Sequence, residues 1–130
     1  MDRIFLDANV LFSAAYRKDA GVRLFWSLDR VELITSAYAV EEARRNLSTS
    51  EQQRALDGLL KNVTVINQES AVIKLPEDLV LPSKDEPIMM AAMNAKCTHL
   101  ITGDIRHFGA YFGKQIAGIL ILKPASYLKR

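Results

Sequence analysis

The sequence has little of what marks a secreted, disulfide-bonded or membrane-spanning protein. Among its 130 residues there is one cysteine, Cys97, so no disulfide can form within the chain. Cys97 lies at an apolar helix end, and we expect a buried thiol in a reducing cytoplasm. No positively charged leader precedes an apolar segment, and no apolar run approaches the roughly 20 residues that span a bilayer. Internal repeats are also missing, so we expect one cytoplasmic domain over residues 1–130, with no membrane partner.

The excess of positive charge is small. Lys and Arg number 17 and Asp and Glu 15, which gives a formal net charge of +2 at pH 7. If a metal ion neutralised four of the acids, 17 basic residues would face 11 remaining acids, an excess of six. A surface that is basic outside one acidic pocket suits the backbone of a nucleic acid.

The chain opens on a stretch in which an apolar strand ends at an acid. Ile4, Phe5 and Leu6 form a short continuous apolar run, typical of a strand buried on both faces of a parallel sheet. Asp7 stops this run, and an amphipathic helix is predicted over residues 10–16. Ligands of open α/β sheets bind beyond the carboxyl ends of the strands, where Asp7 would lie. Alternatively, Asp7 only caps the helix that follows.

The same arrangement recurs near the other end of the chain. Residues 99–102 are predicted to form a strand, Gly103 a turn, and Asp104 the start of a short helix over residues 105–108. If the two strands are neighbours in one sheet, their closing acids, Asp7 and Asp104, come together.

Strands and helices alternate along the rest of the chain. This alternation indicates an α/β fold with a central parallel sheet of four to five strands, flanked by helices on both faces. Further strands are predicted at residues 31–35, 63–66 and 119–122. Further helices are predicted at residues 20–28, 37–47, 51–61 and 124–128, and one more has Pro87 in its first turn and ends near residue 96. The remaining predictions are a short helix at residues 70–75 and a loop at residues 113–118.

Two helix starts carry cap signals. Ser36 is predicted to cap the helix at residues 37–47. Ser50, with Gln53 three residues later, resembles a capping box at the start of the helix over residues 51–61.

A third candidate acid, Asp85, stands at the start of the helix that contains Pro87. Asp85, Met89 and Ala92 are spaced to fall along one side of that helix, so Asp85 begins a stripe that faces the core. Glu86 lies off the stripe and fits a simple role in offsetting the helix dipole.

A fourth candidate acid is either Glu41 or Glu42. Taking the face of Val40, Ala43 and Leu47 as the buried one, both glutamates flank it at similar angles. Helical periodicity does not choose between them.

Taken together, these pieces resemble a known family, the PIN domain. Within it, the match is closest to the toxin nucleases of prokaryotic toxin–antitoxin pairs (VapC-like). The resemblance covers nearly the whole chain, in order: Leu-Asp-Ala-Asn-Val at residues 6–10, Ser36 with Glu42 six residues on, Asp85 heading an alanine-rich helix, Leu-Ile-Thr-Gly-Asp at residues 100–104, and Ile-Leu-Lys-Pro-Ala-Ser-Tyr-Leu at residues 121–128.

The resemblance implies a PIN-like fold and a tetrad of site acids. The implied tetrad is Asp7, Glu42, Asp85 and Asp104, and Glu42 is selected over Glu41 by its distance from Ser36 and Leu47. Asn9 and Thr102 match polar positions near the metal site of that family. Many PIN domains carry a further acid shortly after the position of Asp104, where this chain has Arg106, His107 and Phe108.

Four clustered carboxylates predict a metal-dependent chemistry. Packed closely, they repel one another unless a cation intervenes. Hard oxygen ligands favour Mg²⁺ or Mn²⁺ over zinc, and such an ion activates water for displacement at phosphorus. We therefore expect a Mg²⁺- or Mn²⁺-dependent endoribonuclease that cleaves RNA phosphodiester bonds.

The resemblance also implies partners. A toxin nuclease has a small cognate antitoxin that blocks its pocket, and a homodimer is common in the family. The predicted helix at residues 20–28, with Phe25 and Trp26, is a candidate for the dimer surface.

Basic residues near the predicted pocket are further candidates. Arg44, Arg45 and Arg106 are positioned to hold substrate phosphates, although each one by itself fits an ordinary solvated helix charge. His107, three residues past Asp104, either faces the pocket mouth or is a surface histidine at a helix end.

Three other functions compete with the nuclease. A haloacid-dehalogenase-like phosphatase needs a second acid two residues after Asp7, where Asn9 stands. A response-regulator receiver domain carries its phosphoacceptor acid after its third strand, where this chain has Asn67. A PIN-fold protein that binds nucleic acid or a partner without turnover remains an alternative.

Overall fold

The computed structural model describes residues 1–67 and 74–129, and the helix predicted at residues 70–75 lies mostly outside these. Six strands are present in the described ranges: β1 (Asp2–Leu6), β2 (Val31–Ser36), β3 (Thr64–Ile66), β4 (His99–Ile101), β5 (Gln115–Ile116) and β6 (Ile119–Leu122). The α-helices are α1 (Ala8–Tyr16), α2 (Ala37–Asn46), α3 (Ser50–Leu60), α4 (Glu86–Asn94), α5 (Ile105–Phe108) and α6 (Pro124–Leu128). In residues 1–67 and 74–129, no helix has both the length and the apolar character needed to cross a bilayer.

The strands form one sheet in the order β3-β2-β1-β4-β6-β5, which is six strands against the four to five predicted. All neighbouring pairs are parallel except β5 with β6. The two strands that end next to acids are direct neighbours, with Leu6 paired to Ile101. The sequence-based prediction that these strand ends meet is confirmed, because parallel strands bring their carboxyl ends to one edge of a sheet.

The central strands are covered on both faces. Successive residues of a strand point to opposite faces, and Ile4, Phe5 and Leu6 of β1 are all fully buried. Leu100 and Ile101 of β4 are fully buried as well. The continuous apolar runs in the sequence therefore correspond to strands that have helices packed on either side.

The helix starts follow from their caps. The Asp7 carboxylate accepts a hydrogen bond from the Ala8 amide at the start of α1. Ser36 accepts one from the Ala39 amide at the start of α2, as predicted. The predicted helix at residues 20–28 is present as a 3₁₀ helix, Gly21–Ser27.

The capping box of α3 lies one residue earlier than predicted. Thr49 accepts from the Gln52 amide, and the Gln52 side chain accepts from the Thr49 amide. Gln53, which the sequence pattern paired with Ser50, instead donates to the carbonyls of Arg44 and Leu47 at the end of α2. The predicted register was wrong because two overlapping Ser/Thr-x-x-Gln patterns stand at this position, and Gln53 satisfies α2 carbonyls.

The predicted loop at residues 113–118 contains a strand. β5 forms an antiparallel hairpin with β6, joined by Ala117 and Gly118. Both of these residues have positive φ, 54° and 80°, as a two-residue type I′ turn requires. The turn was missed because Ala117 gives none of the Asn or Gly signal that usually marks its position.

Cys97 is buried, as predicted, just after the C-terminal end of α4. Burial raises the pKa of its thiol to about 12. The thiol is therefore inert, since the thiolate is the reactive form.

Candidate active site

A cleft of about 420 Å³ opens at the carboxyl ends of β1 and β4. All four acids of the expected tetrad line it, and they come from four separate elements: the end of β1, the middle of α2, the start of α4 and the end of β4. The lining residues are Asp7, Ala8, Asn9, Phe12, Glu42, Asn46, Lys84, Asp85 and Asp104. The fold thus brings together acids that are up to 97 positions apart in the sequence.

Asp7 is the most buried of these acids, at 3% exposure. One carboxylate oxygen accepts from the Ala8 amide at 2.7 Å, and the other accepts from the Thr102 hydroxyl at 2.8 Å and the Asn9 amide group at 3.2 Å. Burial raises the pKa of Asp7 from 3.8 to about 6. The two shorter hydrogen bonds oppose that rise in pKa, while the charges of Glu42 and Asp85 add to it.

Thr102 and Asn9 tie the ends of β1 and β4 together. The Thr102 hydroxyl accepts from the Asp104 amide at 3.1 Å and from the Asn9 side chain at 3.2 Å. The Asn9 carbonyl oxygen accepts from the Gly103 amide at 2.7 Å. A Cβ added to Gly103 would lie 3.2 Å from that oxygen, which explains why the close approach favours glycine. This network fixes Asp7 and the backbone of Asp104 relative to each other.

Asp85 enters the cleft from the turn before α4. Its side chain makes no capping hydrogen bond, and the residue is 7% exposed. Tyr38 of α2 donates to the Lys84 carbonyl at 2.6 Å, which holds this turn against the helix that carries Glu42. Burial raises the pKa of Asp85, while nearby His107 lowers it and Asp104 raises it.

On α2, Glu42 lines the cleft, whereas Glu41 is exposed. The geometry therefore separates two glutamates that periodicity alone left equivalent. The backbone carbonyl of Glu42 accepts from the Asn46 side chain at 3.0 Å, and Asn46 also lines the cleft.

His107 faces the carboxylates, which decides between the two readings of this residue. Its Nδ1 lies 2.8 Å from Asp85 Oδ2 and 2.9 Å from Asp104 Oδ2. The first turn of α5 brings it there, because Asp104 accepts from the His107 amide at 3.1 Å. The spacing of three residues from Asp104 made this placement one of the two alternatives that the sequence left open.

The cation that lines the cleft is Lys84, and none of the three arginines considered from the sequence lines it. Arg44 pairs with Asp57 and donates to Gln53, contacts that hold α2 against α3. Among the described residues that line the cleft, Lys84 is the only cation. Its position next to Asp85 was a signal available in the sequence.

Three side chains of this site lie close enough together to bind one cation. Ligand atoms of Asp85, Asp104 and His107 all lie within 4.8 Å of one another. Within the described ranges, Asp85 Oδ2 and His107 Nδ1 are buried atoms that form no hydrogen bond of acceptable geometry, despite their short separation. Buried polar atoms are nearly always satisfied, so their convergence fits a divalent cation.

A comparison with known protein families identifies the family of this chain. A family model described as "PIN domain" matches residues 3–106, most of the chain. The chain belongs to the PIN domain family. PIN domains are nucleases that use divalent metals, and the acid cluster suits that family-level activity.

A solved structure shares the PIN fold of this chain. It is one chain of the crystal structure of VapBC2 from Rickettsia felis bound to a DNA fragment from their promoter. The TM-score is 0.70 with 15% sequence identity, and the match covers 93% of this PIN domain chain and 98% of the other. A comparison with curated proteins gives no significant match.

Proposed function

We propose that residues 1–130 form a metal-dependent endoribonuclease that acts as the toxin of a toxin–antitoxin pair. The observation that carries this proposal is the meeting of four acids, from four elements, in one cleft of a PIN-family fold. No single helix or turn accounts for that meeting. The alternative role of Asp7 as a cap also coexists with it, because one carboxylate oxygen caps α1 and the other faces Thr102 and Asn9.

Asp7, Glu42, Asp85 and Asp104 would hold Mg²⁺ or Mn²⁺. Bound there, such an ion supplies activation of water and stabilisation of the charge that develops at phosphorus. Thr102 and Asn9 hold the Asp7 carboxylate in one orientation by direct hydrogen bonds. Lys84, exposed at the cleft, is placed to contact a phosphate of the substrate.

The proposal further includes RNA as the substrate, an antitoxin as a partner, a homodimer and a cytoplasmic location. A metal ion would neutralise the four acids in the cleft, and the positive charge of the remaining surface would then be in larger excess. Such a surface supports a nucleic-acid substrate. The shared fold with a chain of a VapBC2 complex supports a protein partner.

Cleavage of RNA by the purified protein tests the activity. We expect cleavage with added Mg²⁺ or Mn²⁺ and none in excess EDTA. Glu42→Gln should lower the rate more than about a hundredfold, since losing even a residue that supports a metal ligand costs about 10–100-fold. Glu41→Gln, one position away and exposed, is the matched control and should cleave normally.

Two outcomes would contradict the nuclease proposal. The first is cleavage that continues unchanged in excess EDTA. The second is RNA binding that is equal in the wild type and Glu42→Gln, without cleavage by either protein, which would favour a PIN-fold binding protein without turnover.

The toxin role is tested separately by expressing the protein in cells. We expect growth arrest that is relieved by co-expression of a neighbouring gene product, and harmless overexpression would contradict the toxin role.

A further inference from the structure

His107 occupies a fixed position beside the cleft, in contact with Asp85 and Asp104, two of the acids that line it. Its amide is held by the Asp104 carboxylate, and the neighbouring Phe108 side chain is fully buried, so α5 is anchored on both sides of it. The His107 side chain is 21% exposed, but its Nδ1 atom is buried between two carboxylate oxygens. The imidazole is thus preorganised rather than free to choose among rotamers in solvent.

This nitrogen lies within ion-pair distance of two carboxylates at once. One ring nitrogen approaches Asp85 Oδ2 at 2.8 Å and Asp104 Oδ2 at 2.9 Å, and it can donate only one hydrogen. Neither Nδ1 nor Asp85 Oδ2 has a hydrogen bond of acceptable geometry in the described ranges. Ligands of one Mg²⁺ ion lie at most about 4.2 Å apart, given metal–oxygen distances of about 2.0–2.1 Å, and both contacts fall within that limit.

We infer that His107 is a direct nitrogen ligand of the metal centre and that it biases the centre toward Mn²⁺ over Mg²⁺. This inference rests on the proposed function, because it requires that Asp85 and Asp104 hold a divalent ion. It also revises the expectation drawn from sequence, in which the ligands were oxygens alone.

The chemistry of the donor set gives the direction of the bias. Carboxylate oxygens suit Mg²⁺ and Mn²⁺ alike, whereas imidazole suits first-row transition ions. Mg²⁺ loses its bound water reluctantly, so replacing a water molecule by a nitrogen ligand adds little to the affinity of the site for Mg²⁺. His107→Asn removes the ring nitrogen and should bring the two affinities closer together. His107→Asp supplies an oxygen in its place and should improve Mg²⁺ binding relative to Mn²⁺.

Electron spin-echo spectroscopy of the Mn²⁺-loaded protein, together with Mn²⁺ and Mg²⁺ titrations, tests this inference. We expect the wild type to show nitrogen modulation from a directly bound imidazole, and His107→Asn to lack it. The ratio of Mg²⁺ to Mn²⁺ dissociation constants should fall about tenfold in His107→Asn, an effect typical of losing one group at a metal site. Labelling the wild-type protein with [¹⁵N]histidine should change the nitrogen modulation relative to the unlabelled protein, and this test needs no substitution.

His99 provides the matched control, since the chain has two histidines. It is buried in β4 with its ring perpendicular to that of Tyr127, and it does not belong to the group of side chains that could hold an ion. His99→Gln should therefore keep the modulation. Mn²⁺ that binds and is lost in Asp104→Asn, yet shows no nitrogen modulation, would overturn the role of His107 and leave the proposed function standing. Absence of Mn²⁺ binding, or binding unaffected by Asp104→Asn, would count against the proposed function itself.

Discussion

At the scale of single residues, Asp7 combines a structural and a chemical task at a cost in stability. It caps α1 and receives two further hydrogen bonds, yet burial still raises its pKa to about 6. The folded protein therefore holds a proton on Asp7 between pH 4 and 6, where the unfolded chain has lost it. The free energy of unfolding consequently falls as pH rises through this range and then levels off, in the absence of metal.

Asp7→Asn should therefore stabilise the metal-free protein at neutral pH. A pKa shift of about two units corresponds to about 3 kcal/mol, and the altered hydrogen bonds to Thr102 and Asn9 reduce the expected gain to about 2 kcal/mol at pH 7. The gain should shrink toward pH 4, where Asp7 is protonated. Urea denaturation in EDTA at a series of pH values measures it. A substitution that destabilises the protein equally at pH 4 and pH 7 would refute this account.

The sequence predicted which acids lie at the cleft, but it did not predict which way every candidate side chain points. Asp7 and Asp104 could be placed from sequence because each follows a strand, and parallel strands end at one edge. Periodicity could not separate Glu41 from Glu42, since both flank the buried face of α2. Nor could it orient His107, whose ring position depends on the long-range contact between α5 and the start of α4.

At the scale of elements, the α2–α3 junction shows how neighbouring caps compete for the same residues. Thr49 and Gln52 form the capping box, which leaves Gln53 to satisfy two carbonyls at the end of α2. Thr49→Ala should lower the free energy of unfolding by about 1 kcal/mol. Ser50→Ala, which removes the hydroxyl of the first residue within α3, should leave it within about 0.5 kcal/mol of wild type.

Thermal denaturation of these two variants measures the difference. The reverse ranking, with Ser50→Ala the more damaging, would restore the register predicted from the sequence. The two Ser/Thr-x-x-Gln patterns are equally good locally. Only the hydrogen bonds from Gln53 to the carbonyls at the end of α2 distinguish them. Because these bonds depend on the packing of α2 against α3, the sequence predicted the helix but placed its cap one residue late.

At the scale of the whole molecule, the cleft collects the ends of β1 and β4, the middle of α2 and the start of α4. Sheet order made much of this predictable, because the alternation of strands and helices implies a parallel sheet. The antiparallel β5 escaped prediction, being two residues long and joined by an alanine at positive φ. The carboxylates therefore join elements that are remote in sequence, and their mutual repulsion opposes the packing of those elements.

A divalent ion should consequently stabilise the entire fold. An ion that binds only the folded chain adds about 2.7 kcal/mol at a concentration one hundred times its dissociation constant. For a chain of this length, that gain corresponds to a rise in Tm of about 10 °C. Calorimetry over a series of Mn²⁺ concentrations should show Tm rising with the logarithm of concentration. Glu41→Gln should follow the wild type, whereas Asp104→Asn should lose most of the rise. A shift of equal size in Asp104→Asn would mean that the ion acts elsewhere on the protein, and the cleft would lose its assignment as the metal centre.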